Sequence, residues 1–115
     1  MAEANDRLLV IWSSADREVA LSMVFMYTLN AKLHQWWDEV TLLVWGPSDR
    51  LLVEDRELRD HVKQMIDAGV RVIACKACAD GFGVTEQLES LGIDVFYTGE
   101  FLTNWLKSDA HIITF

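Results

Sequence analysis

Five apolar runs of strand length recur along this chain, Arg7 to Trp12, Val40 to Trp45, Val70 to Ala74, Ile93 to Tyr97 and His111 to Phe115, with helical patterns between them. The alternation reads βαβαβαβαβ. Runs such as Leu8-Leu9-Val10-Ile11-Trp12 and Leu42-Leu43-Val44-Trp45 lack polar residues at alternate positions, so both faces of these strands require cover, as in parallel sheets flanked by helices. Three layers are expected: helix, sheet, helix. At 115 residues the chain suffices for one core and is too short for two of ordinary size, so residues 1–115 are read as a single domain. Order is expected beyond the first six residues.

The first helix is predicted from near Asp16, with Ser13, Ser14 or Asp16 as cap, to about Trp37, because no Gly or Pro interrupts that stretch. From Val19 to Ala31 it carries no charge. Val19, Met23 and Met26 share one face, while Leu21, Phe25 and Leu29 lie well around from them. A helix packed on one sheet needs only one apolar stripe. The uncharged run is shorter than the roughly 20 residues that span a bilayer. Burial on two sides, by the sheet and by a second subunit, is therefore expected, and the Trp36-Trp37 pair is expected at that interface.

A second helix is predicted after Gly46-Pro47-Ser48, burying Leu51, Leu58, Val62 and Met65 and closed by Gly69 in a left-handed cap. A third runs from Thr85 to Leu91 and a fourth from Glu100 to Lys107.

A net charge of −8 without clustered Lys or Arg argues against non-specific binding to nucleic acid and to acidic membrane surfaces. No basic start, apolar middle and small-residue cleavage site mark the N-terminus for export. The two cysteines are too close together to staple a fold, which points to the cytoplasm. Neither a glycine-rich phosphate loop nor a Gly-x-Ser-x-Gly elbow is present.

Those two cysteines, Cys75 and Cys78, fall where the third strand gives way to a loop containing Gly81 and Gly83. Reactive groups in open parallel sheets collect beyond the carboxyl ends of the strands. A thiol there is a candidate nucleophile, and Lys76 and loop N–H groups are candidates to hold a sulfur anion, with Asp80 opposing. The residues alone leave the matter open. Both cysteines could equally be small packed apolar groups of a non-catalytic scaffold or small-ligand binding module. A Cys-x-x-Cys redox switch is another reading, although thioredoxin carries its pair after a βαβ start and the sole proline, Pro47, is poorly placed to act as that family's partner. A zinc site would need ligands from His34, His61 and His111, which are scattered singly, so no metal is expected.

The elements Ala74-Cys75-Lys76-Ala77-Cys78-Ala79-Asp80, Gly83-Val84, Leu91-Gly92-Ile93, Tyr97-Thr98-Gly99-Glu100, Leu102-Thr103 and Ile113-Thr114-Phe115, in this order, resemble the DsrE/DsrF-like family. The likeness extends to the N-terminal strand and long helix. The resemblance implies a five-stranded parallel sheet in a three-layer α/β/α domain, assembly as a trimer or hexamer, and a sulfur carrier or sulfurtransferase role without metal or organic cofactor. It also implies that Cys75 accepts sulfur as a persulfide and passes it to a partner protein's thiol, so the expected partners are a sulfur donor and a sulfur acceptor. Cys78 is an addition found in a subset of the family. It could attack the persulfide of Cys75, releasing sulfide and leaving an internal disulfide.

Overall fold

The structure, a computed structural model, describes residues 6–115. The expectation for the extreme N-terminus falls, for residues 1–5, outside the described residues. Strands β1 (Arg7–Trp12), β2 (Glu39–Val44), β3 (Arg71–Cys75), β4 (Asp94–Phe96) and β5 (His111–Thr114) form one all-parallel sheet in the order β4-β3-β2-β1-β5. The pairings Trp12 with Val44, Val44 with Ala74 and Cys75 with Phe96 bring the carboxyl ends of four strands to one edge.

The helical elements are α1 (Arg17–Val19), a π-helical segment (Ala20–Phe25), α2 (Met26–Leu33), α3 (Pro47–Glu54), α4 (Arg56–Asp67), α5 (Lys76–Phe82), α6 (Thr85–Ser90) and α7 (Gly99–Leu106). Parallel crossovers are right-handed. The three that step from β1 to β4 in one direction therefore lay their helices on the same face, where Leu8, Val10, Trp12, Leu42, Val44 and Val72 meet Val24, Phe25, Leu52, Val62, Met65 and Leu88. The chain then returns past the sheet to pair β5 with β1, which puts α7 on the opposite face. There Trp105, Phe101 and Leu102 cover Leu9, Ile11, Leu43 and Ile73. Alternate residues of each continuous apolar strand thus enter different cores, as the missing polar alternation requires.

Three expectations are corrected. The first helix stops at Leu33 rather than near Trp37, because Gln35 takes a left-handed backbone with φ 55°. Its N–H donates to the Lys32 carbonyl and that of Trp36 to the Ala31 carbonyl, a Schellman closure without glycine. The same pair of bonds closes α4 at Gly69. A glutamine there costs about 1–2 kcal/mol of backbone strain, partly offset because glycine would leave the unfolded chain freer. Gln35→Gly should accordingly raise stability by about 1 kcal/mol in urea unfolding; a loss would mean that the glutamine side chain stabilises the turn.

The second predicted helix is two helices. Asp55 breaks it, leaving the helical region at φ −117° and ψ 109° and accepting a hydrogen bond from the Leu58 N–H as the cap of α4. The stretch after Cys75, expected as a loop, is the helix α5. Gly81 lies inside it and Gly83 ends it in the left-handed conformation, so the two glycines belong to a short helix rather than to a loop.

Candidate functional site

Cys75 is both the last residue of β3 and the residue that caps α5, with an extended backbone at φ −77° and ψ 121°. This handover from strand to helix leaves Cys75 next to the free N–H groups of the first turn of α5. Burial pushes the Cys75 thiol up, but the Thr98 hydroxyl and the N–H groups of Cys78, Thr98 and Ala77, all of which favour a negative sulfur, outweigh it. The net result holds Cys75 below the ordinary thiol value. Thr98 caps α7 and is itself buried. Two helix starts, those of α5 and α7, therefore converge on one sulfur, which favours the thiolate.

Cys78, one turn into α5, has the opposite tendency. Burial raises its thiol first. The Gly46 N–H, which donates to its sulfur, pulls the other way, and the charges of Cys75 and Asp49 and a hydrogen bond with Cys75 keep the net shift upward. The pair thus divides into a more acidic thiol at Cys75 and a less acidic one at Cys78. Both cysteines are free. Gly46 makes its contact because it adopts φ 75° and ψ −140°, which other residues rarely reach, as it leads into α3 with Pro47 at the first helical position.

Asp49 completes the cluster. Its N–H donates to the Gly46 carbonyl at 3.0 Å, so it belongs to the same turn that touches Cys78. The neighbouring Ser48 hydroxyl donates to the Trp12 carbonyl and accepts the Trp45 N–H, pinning this turn to the ends of β1 and β2. Asp49 is wholly buried, and among the described residues neither of its carboxyl oxygens has a hydrogen-bond partner. Burial, with the Cys75 charge adding to it, pushes its pKa up to about 7.

Lys76 lies beside Cys75 in sequence, yet its ammonium pairs with Asp80 at 2.7 Å and sits 5.7 Å from the centre of the Tyr97 ring. It is not among the donors to the Cys75 sulfur. The histidines lie apart from the cluster: His34 stacks on Trp36, His61 faces Phe25 and His111 faces Trp37. Among the described residues no group of three or more His, Cys, Asp or Glu side chains is placed to hold a metal ion.

Sequence reasoning found Cys75 and Cys78 and missed Gly46, Asp49 and Thr98. Gly46-Pro47 signalled a helix start, but nothing local distinguishes Asp49 from an ordinary first-turn acid. Thr98 carried a weak signal as a possible cap before Gly99.

The sequence pattern of the DsrE/DsrF-like family matches residues 23–115. No curated protein sequence matches the chain. Among solved structures, a conserved protein of unknown function, BT1422 from Bacteroides thetaiotaomicron, is 32% identical and superposes with a TM-score of 0.93, over 96% of this chain and 95% of that one. The YchN protein from E. coli shares the fold at 17% identity and a TM-score of 0.72, over 96% of this chain and 99% of its own.

Proposed function

This chain belongs to the DsrE/DsrF-like family, and from that premise we propose that it is a cytoplasmic sulfur carrier that accepts sulfur as a persulfide on Cys75 and hands it to a partner protein's thiol. The observation that carries this reading is the set of donors around the Cys75 sulfur, the Thr98 hydroxyl and three backbone N–H groups, which favours an anion there against the pull of burial. A thiolate attacks the outer sulfur of a donor persulfide; the donor's sulfur leaves as a thiolate and Cys75 carries S–S⁻ after loss of a proton. The same donors suit that anion. Lys76, near the site but paired with Asp80, is then a group that a docking partner engages, rather than one that holds the sulfur.

Assembly as a trimer or hexamer belongs to the same proposal. Met23, Met26, Leu33 and Trp36 are each about half exposed, and a second copy of the chain would cover them. No helix among the described residues is long and apolar enough to cross a membrane.

The test is mass spectrometry of the protein after incubation with a persulfide donor, without reductant. An added sulfur on the peptide bearing Cys75, absent in Cys75→Ser, is the expected outcome. No added sulfur, or sulfur retained in Cys75→Ser, overturns the reading and leaves the cysteines as packing residues of a scaffold.

A further inference from the structure

Asp49 has no part in the transfer just described, and its surroundings are costly. A carboxyl buried without a hydrogen-bond partner loses its water and gains nothing in return. Such a group persists where it serves the chemistry beside it. Asp49 stands in the first turn of α3, which packs against α5, the helix that carries Cys78, and its charge and those of the two thiols act on one another.

Other charged groups on the neighbouring helices are turned elsewhere. Arg50 on α3 lies over the Phe82 ring, Lys76 and Asp80 on α5 pair with each other, Arg59 on α4 donates to the Val53 carbonyl, and Arg56 and Glu57 on α4 and Glu86 and Glu89 on α6 are exposed. Among the described residues, Cys75 is the one group whose charge raises the Asp49 carboxyl.

We propose that Asp49 is the proton-transfer group for Cys78, and that it gives this protein a second activity, the reductive release of sulfur from Cys75 as hydrosulfide. The proposal rests on the reading of Cys75 as the sulfur-accepting thiol. Asp49 takes the proton from the Cys78 thiol across one water, since no thiol lies within hydrogen-bond reach of its carboxyl oxygens. The Cys78 thiolate attacks the inner sulfur of Cys75–S–S⁻, the bond to the outer sulfur breaks, and that sulfur leaves with the electron pair and the proton from Asp49. The balance is Cys75–S–S⁻ plus Cys78–SH giving a Cys75–Cys78 disulfide plus HS⁻. The outer sulfur is reduced and the two cysteines are oxidised. An external dithiol reductant is needed to reset the pair for another turnover.

An aromatic disulfide reagent with a coloured thiolate product separates the steps. Attack by Cys75 releases the colour once, leaving a mixed disulfide; attack by Cys78 on that disulfide releases it again. The second phase should vanish in Cys78→Ser. In Asp49→Asn its rate relative to the first phase should fall about 100-fold, the usual scale of acid–base assistance. Its pH profile in the unaltered protein should inflect above the ordinary carboxylate range, where the buried Asp49 titrates, and move to higher pH in Asp49→Asn. A normal first phase with an unchanged second phase in Asp49→Asn, or a second phase whose inflection does not move in Asp49→Asn, overturns the role of Asp49 alone. Absence of the first phase in the unaltered protein overturns the reading of Cys75 and this proposal with it.

Discussion

Asp49→Asn should stabilise the protein by about 4 kcal/mol at pH 8 and by little at pH 4. The carboxyl's pKa rises from an ordinary 3.8 to about 7 on folding, and each unit is worth about 1.4 kcal/mol. A raised pKa in an acid means that the folded protein holds the proton more tightly than the unfolded chain. Below about pH 4 both states are protonated and the site costs nothing through ionisation. Between about pH 4 and 7 the unfolded chain releases the proton first, so stability falls as pH rises, and above 7 the full penalty applies. Asparagine has nearly the same shape and cannot ionise, so the variant loses this dependence. Urea unfolding of both proteins at fixed concentration, at several pH values and with reductant, measures it. Equal stability differences at every pH would show a freely ionised carboxyl reached by water.

Thr98→Val should slow alkylation of Cys75 at neutral pH by about 3- to 10-fold and leave Cys78 nearly unaffected. A hydrogen bond to a charged group is worth about 1.5–3 kcal/mol, so losing the hydroxyl should raise the Cys75 pKa. The thiolate fraction then falls, while the more basic thiolate becomes intrinsically more nucleophilic, which recovers roughly half of the logarithm. The Thr98 N–H still donates in the variant, so the effect is partial. Peptide mass mapping after timed alkylation separates the two cysteines. An unchanged rate at Cys75 would show that backbone donors alone set its ionisation.

Much of this fold was legible because strands buried on both faces leave long apolar runs, and because α4 and α6 end at glycines, Gly69 and Gly92, that their closures require. Where the punctuation departs from that usage, the sequence misleads. Gln35 occupies a glycine's position, so the first helix reads too long; Asp55 breaks a helix whose apolar spacing continues past it; and Gly81 and Gly83 make α5 read as a loop.

The sequence by itself determined the alternation of elements, the family, and a thiol at the carboxyl end of the third strand. All of these follow from residue type and short-range spacing. Only the tertiary structure decided the direction in which that thiol's pKa is shifted and the identity of its neighbours. Asp49 comes from the first turn of α3, which follows β2, and Thr98 from the turn after β4, and they reach the Cys75 and Cys78 pair because β2 and β4 flank β3 in the sheet. Burial and convergent hydrogen bonds set a pKa, and both are properties of that long-range packing, with no trace in the local pattern around Asp49.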